Sequence, residues 1–359
     1  MKKYFFLFVI TITLFISGCS TKEVFEPKKL DKDWDQYEAS KYRIIDTTSN
    51  VALLKDRKVL TSQGVVDVNV SQTKRVVSQS DSWIITTSID GNLTLTSQND
   101  PSVAKNLHLK KTIASASVDG NNLAVVFADN EIALYDIPSQ DLLFREQESK
   151  YIAVDSRIVT PLFMRGLVLF PTLDGKVVFV NLELKKKLRT VIVSSEDHFN
   201  NIISLDILEN KIIAATSYKV LSMAKKQIRA KYEIRDIVYG EHMIYLATKQ
   251  GEIISLTSSL QVISKVKFPF AHFYGMKLNK GKLYILEQEG YMIVLDAKTF
   301  DYSVYPLRLN YNIVHSDVYS DFMKNNNITN AMKSIDIEDS FIFKGKKGFY
   351  LDKIKILTP

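Results

Sequence analysis

A single cysteine in 359 residues excludes an intrachain disulfide, so the fold must be held by packing and hydrogen bonds alone. Histidine is also sparse. His108, His198, His242, His272 and His315 stand far apart, with no H-x-H or H-E-x-x-H spacing to bring two imidazoles onto one metal from a single element. The chain has no G-x-S-x-G elbow, phosphate-binding loop or dinucleotide fingerprint. These gaps lead away from the common enzyme classes and toward a non-catalytic protein with neither cofactor nor metal. A strong excess of one charge is missing too: the formal net charge of +7, of which Lys2 and Lys3 supply two, is too mild for a nucleic-acid partner.

What is present begins at the N-terminus. Lys2 and Lys3 precede an apolar run from Tyr4 to Ile16 that is short for a membrane span, which is the pattern of a secretory signal. Ile16-Ser17-Gly18-Cys19 then resembles the bacterial lipobox, in which the signal is cut ahead of the cysteine and its thiol carries a diacylglycerol. The expected signal peptide is residues 1–18, with Cys19 lipidated. Two or three acyl chains anchor firmly, because each buried methylene contributes ~0.8 kcal/mol and one chain alone is marginal. Ser20 and Thr21 follow in place of the aspartate that favours inner-membrane retention. The expected location is therefore the outer membrane, lipid-anchored and facing the periplasm. Residues 19–41 are charged, contain Pro27 and have no period, as a flexible tether would.

From Tyr42 onward the chain repeats one pattern: a short apolar run, a turn pair, another short apolar run. The turns fall at Asp90-Gly91, Asp129-Asn130, Asp174-Gly175, Gln250-Gly251 and Glu289-Gly290, with weaker copies near Asn50, Tyr218-Lys219 and Lys347-Gly348. Gly or Asn at the second turn position supplies the positive φ that a tight hairpin often needs. Most successive turns lie ~40 residues apart, the length of one four-stranded propeller blade. Runs such as LAVVF and KVVFV are apolar at consecutive positions, as strands covered on both faces are. The reading is all-β: a β-propeller over residues 42–359. Eight blades of about 40 residues fit the eight landmarks, and seven of about 45 are also admissible. A polar insertion near 310–335 breaks the period, and its Val318, Phe322 and Met323 stand at helical spacing. The last residues, KIKILTP, are expected to supply a strand that closes the ring.

Two segments carry a family likeness. Asp174, Gly175, Val177, Val180 and Asn181, and again Gly290, Met292, Leu295, Asp296 and Thr299, resemble the inner hairpin of the PQQ-type propeller repeat. The repeat's terminal glycine is absent, with Lys186 and Asp301 near its place. A lipobox followed by such a propeller is similar to the BamB family of outer-membrane lipoproteins. That resemblance implies a periplasm-facing scaffold that supports outer-membrane protein assembly through protein contacts. Quinoprotein dehydrogenases share the repeat, but they hold their cofactor with a tryptophan platform and vicinal cysteines. Trp34, Trp83 and one cysteine do not supply these, so the quinone is not expected. The alternative is a small-molecule or glycan-binding propeller, or an enzyme whose site is assembled from scattered loop residues.

Two smaller signals remain. Asn69 and Asn92 each follow an acid by two positions and open an N-x-[ST] triplet, the extended bacterial N-glycosylation pattern. Lys185, Lys186, Lys187 and Arg189 form a basic run whose expected place is a wet turn at a blade edge, with anionic headgroups as the alternative partner.

Overall fold

In the computed structural model, residues 23–31, 44–61, 64–306, 341–344 and 347–350 are described. Cys19, the insertion near 310–335 with its helical spacing, and the expected closing strand all lie outside them.

Residues 44–306 form seven antiparallel sheets of four strands, each built from four consecutive strands in chain order. These are the blades of a propeller. Strands are numbered here in chain order. The first strands of successive blades are β1 (Ile44–Thr47), β5 (Arg75–Ser80), β9 (Ile113–Asp119), β13 (Leu162–Met164), β17 (Ser204–Leu208), β21 (Ile234–Tyr239) and β25 (Phe273–Asn279). They are innermost: β5 touches β9 and β21 touches β25 across blade boundaries. The fourth strands are β4 (Gly64–Val66), β8 (Ala104–His108), β12 (Leu142–Gln147), β16 (Lys186–Ile192), β20 (Gln227–Lys231), β24 (Val262–Lys267) and β28 (Tyr302–Pro306). Most of their side chains are exposed, so they form the rim.

The apolar runs legible in the sequence are the second and third strands of each blade. In β10 (Asn122–Phe127) and β11 (Glu131–Asp136) nearly every side chain is buried, since both faces of the sheet are covered by neighbouring blades. Phe127, Leu123 and Ala133 pack against Ile85 and Leu95 of blade 2, whereas Ala124, Val126 and Leu134 pack against Phe170 and Val178 of blade 4. Alternate residues of one strand thus feed two different cores. Each fully buried Leu or Phe contributes ~1.5–3 kcal/mol, so the ring is held mainly by these wedge-shaped interfaces.

The count is seven, not eight. Two landmarks mislead. Asn50 lies in the turn between the first and second strands of blade 1, not between its second and third, and its side chain bridges to the backbone of Gln79 in blade 2. The hairpin at Lys347-Gly348 exists, as β29 (Phe341–Lys344) and β30 (Lys347–Tyr350). Among the described residues, however, these two strands pair only with each other and make no blade. With the seventh described blade ending at Pro306, the described blades average about 38 residues, short of the ~40–45 of familiar propeller repeats.

Part of the expected tether is packed. Phe25 is buried between blades 6 and 7, edge-on to Phe268 at 5.9 Å and Tyr291 at 5.7 Å. The Asp31 backbone N–H donates to the Val304 carbonyl at 2.9 Å, which ties the end of this segment to β28.

Candidate functional site

Antiparallel order puts the turns between second and third strands, and the connectors between blades, on one end of the ring. This upper face carries the two most exposed apolar side chains of the loops, Ile89 at 83 % exposure and Ile152 at 71 %, together with the half-exposed Phe199 at 47 % and Phe270 at 51 %. Single exposed apolar side chains are ordinary on a protein surface, so it is the backbone setting of two of them that sets this face apart.

The two phenylalanines are held in a conformation bulky residues rarely adopt. Phe199 has φ 51° and Phe270 φ 61°, the left-handed region that costs an L-residue ~1–2 kcal/mol. Phe270 occupies the third position of the turn Phe268-Pro269-Phe270-Ala271, closed by the Ala271 N–H donating to the Phe268 carbonyl at 3.1 Å. A positive φ there normally selects glycine. Phe199 is fixed by its own N–H donating to the Ala153 carbonyl at 2.9 Å, which ties two connectors together.

Beneath the knobs, the connectors are clamped by buried polar groups. The Asp155 carboxylate accepts from the Arg157 backbone N–H at 3.0 Å, from its guanidinium, and from the Ser217 hydroxyl at 2.8 Å. Burial alone would raise this carboxyl, but the hydrogen bonds and charge of Arg157 outweigh it and hold it well below the usual carboxylate range. Arg157 also donates to the Arg235 carbonyl of blade 6 at 2.7 Å, and the amide of Asn201, fully buried, donates to the carbonyls of Asp155 and Arg157 at 3.1 Å. One arginine thus spans the connector from blade 3 and the tops of blades 5 and 6. Under the Phe270 turn, the fully buried Glu287 accepts from the backbone N–H of His272 at 3.2 Å and of Glu289 at 2.7 Å. Burial pushes its carboxyl up to about 7.

The second concavity lies in the centre of the ring. A cavity of about 320 Å³ is lined by inner-strand residues of blades 5, 6 and 7, among them Ser204, Asp206, Tyr239 and Lys277, with Ser49 reaching it from blade 1. The Ser204 and Tyr239 hydroxyls lie 2.5 Å apart across it. Its lining supplies one carboxylate, Asp206, one ammonium, Lys277, and the hydroxyl groups of Ser49, Ser204 and Tyr239. Among the described residues, no three His, Cys, Asp or Glu side chains are grouped to hold a metal.

The sequence-derived sites stand apart from both features. Asn69 is exposed in the loop after β4, between buried Val68 and Val70. Asn92 lies in a strand, half-buried, with its amide donating to Asp90 at 2.6 Å and its carbonyl bonded to the His108 ring at 2.5 Å. His108 and His242 sit in separate blades, the latter beside Glu209 at 3.1 Å. The basic run lies in β16 and the turn before it, on the rim. The upper-face knobs were missed in the sequence because a lone Ile or Phe in a connector reads as core. The one available signal was the pair Pro269-Phe270 at a turn position where glycine is normal.

No protein-family model matches the chain. It is similar to two plasminogen-binding proteins named PgbB from Helicobacter pylori: 39 % identical over 214 residues in strain J99, and 31 % identical over 352 residues in strain 26695. These matches cover 58 % and 85 % of this chain, but it spans only 40 % and 65 % of the lengths of those proteins. Among solved structures, BamB from Moraxella catarrhalis superposes with a TM-score of 0.59 at 12 % identity, over 75 % of this chain and 91 % of that one. The C-terminal WD40 domain of Sif2 gives 0.58 at 11 % identity, over 88 % and 97 %. The designed protein Ika8 gives 0.57 at 13 %, over 88 % and 98 %. At such identities the likeness is one of fold, and the fold is a BamB-like propeller.

Proposed function

We propose that the chain is a non-catalytic protein-binding propeller that grips its partner with the upper face. The observation that carries this reading is the pair Phe199 and Phe270, two half-exposed aromatics held at positive φ on connectors clamped from below. Leu260 and Phe300 also turn at positive φ, but Leu260 is buried and Phe300 packs against the core of blades 6 and 7, whereas the rings of Phe199 and Phe270 stand half exposed on one face. Aromatic anchors on a pre-ordered frame bind without an ordering penalty.

The setting we propose is the cell envelope, with residues 1–18 removed as a signal, Cys19 lipidated and the ring in the periplasm at the outer membrane. The partner is then the outer-membrane protein assembly machinery, a reading supported by the lipobox and the BamB-like fold. A second reading follows from the likeness to the plasminogen-binding PgbB proteins: plasminogen as partner. Affinity purification from detergent-solubilised envelopes, beside direct binding to plasminogen, distinguishes the two. Barrel-assembly components retained by the intact chain and lost by Phe199→Ala/Phe270→Ala support the first; plasminogen bound with the same dependence supports the second. A double variant that captures the same partners as the parent chain refutes the upper-face assignment.

A further inference from the structure

The rim is electrically lopsided. The outer strands of blades 4, 5 and 6, which read KKLRTVI, QIRAK and VISKVK, carry seven cationic side chains and no acid. The outer strands of the other four blades together carry two cations, Lys105 and Arg145, and one acid, Glu146. Seven strands share one architectural role, so the fold does not demand this sorting.

The cationic arc is also apolar. Leu188, Ile192, Ile228, Val262 and Ile263 lie on the same three strands and are between 43 % and 59 % exposed. Blades 4 and 5 are joined at the rim, where the Arg229 guanidinium donates to the Ile192 carbonyl at 3.0 and 2.6 Å. Two of the seven cations are paired with acids, Lys187 with Glu146 and Lys265 with Glu252. Lys186, Lys231 and Lys267 form no ion pair among the described residues.

We infer that this arc rests on an anionic phospholipid surface, with lysine ammonium groups at the headgroups and the interleaved aliphatic side chains at the interface. Alternating cations and aliphatics suit an interface that is anionic outside and oily just beneath. An acidic protein surface would match the charges but leave the aliphatic positions unexplained. The place of the N-terminal segment agrees. Phe25 is lodged between blades 6 and 7, beside the arc, and lies six positions from Cys19 in the chain, a reach of at most ~20 Å. This last point rests on the lipid-anchor reading; the charge and exposure of the arc do not.

The test is co-sedimentation of the full chain carrying Cys19→Ser, so that no acyl chain contributes, with vesicles of phosphatidylethanolamine and phosphatidylglycerol or of phosphatidylcholine alone. The parent should prefer the anionic vesicles by about ten-fold or more at low salt, and added salt should erase the preference. Lys186→Glu/Lys231→Glu/Lys267→Glu should abolish it. Lys55→Glu/Lys105→Glu/Lys110→Glu, an equal change of net charge elsewhere, should keep it within about two-fold of the parent. Thermal melts check that both triple variants remain folded. Equal binding to both vesicle types, or equal loss in both variants, overturns the proposal. So does a rim variant that keeps its vesicle preference while losing a protein partner, because the arc would then belong to that protein. Acylation of Cys19, read separately by mass spectrometry, leaves each of these outcomes unchanged.

Discussion

At the scale of single residues, the upper face combines strain and burial, and each can be measured. Phe270 sits at φ 61° where its turn favours glycine. Phe270→Ala and Phe270→Gly both remove the ring, but only glycine relieves the backbone. The glycine variant should therefore be the more stable of the two by about 1 kcal/mol in chemical denaturation, and both should lose partner capture equally. If the glycine variant alone kept its partner, the ring would not be the anchor. Glu287 makes a prediction of a different kind. Its carboxyl is raised in the folded ring from an ordinary 4.5 to about 7, so the folded state binds more protons than the unfolded chain between those values. The neutral group's contribution is fully present below pH 4.5 and is lost as pH rises through 7. Glu287→Gln stays neutral but turns an amide N–H toward one of the two backbone N–H groups that the carboxyl serves, so it should melt below the parent near pH 5. Between pH 5 and pH 8 the difference should move in the variant's favour by roughly 2–3 kcal/mol. A difference that does not change with pH would show that Glu287 is not charged uphill in the fold.

At the scale of elements, the turn glycines do more than supply positive φ. A Cβ on Gly175 would lie 2.3 Å from the Asn200 amide nitrogen and 2.6 Å from the Ser194 carbonyl; one on Gly251 would lie 2.3 Å from the Phe268 carbonyl. Both glycines let the connector to the next blade lie against the hairpin tip. Gly175→Ala should consequently cost about 2–4 kcal/mol, more than strain at its φ of 86° alone would produce, and a urea titration would show it. Blade 3 reaches the same end differently. Asn130 tolerates φ 66° and uses its amide to donate to the Ser149 carbonyl and to accept from the Leu173 N–H of blade 4. The other half of the repeat also has a mechanism. Asn181 and Asp296, at the ends of their strands, cap the following turn by accepting from the Leu184 N–H at 2.6 Å, and from the Lys298 and Thr299 N–H groups at 2.9 Å. These local devices are what made the hairpins legible in the sequence, because backbone geometry restricts residue choice at single positions. Blade 1 hid its hairpin because Lys55-Asp56-Arg57-Lys58 turns without glycine, with φ 70° at Arg57. The apolar side chains of the upper face hid for the opposite reason: exposure of Ile89, Ile152 and Phe199 is decided by the ring, not by their neighbours in sequence.

At the scale of the whole molecule, the blade number follows from where sheets stop pairing, which no count of turns reveals. Dividing residues 42–359 by an assumed repeat folds the C-terminal hairpin into the ring; strand pairing among the described residues leaves it out. The N-terminal segment raises the complementary question of whether the ring depends on a piece added from outside it. Phe25 buries its ring against the core shared by blades 6 and 7, yet residues 23–31 contribute no strand to any sheet. Removing that ring with Phe25→Ala forfeits ~3 kcal/mol of burial, roughly a hundredfold in the ratio of docked to undocked segment. Because every described blade is complete without it, the loss should fall on the docking equilibrium and not on the ring. Trypsin should then cleave after Lys28 and Lys29 far faster in the variant, while the melting temperature of the ring stays within a few degrees of the parent's. A large fall in melting temperature would instead make the segment part of the ring's closure. The propeller would then be stable only with its N-terminal strap in place, and the attachment point of the tether would fix the orientation of the whole ring.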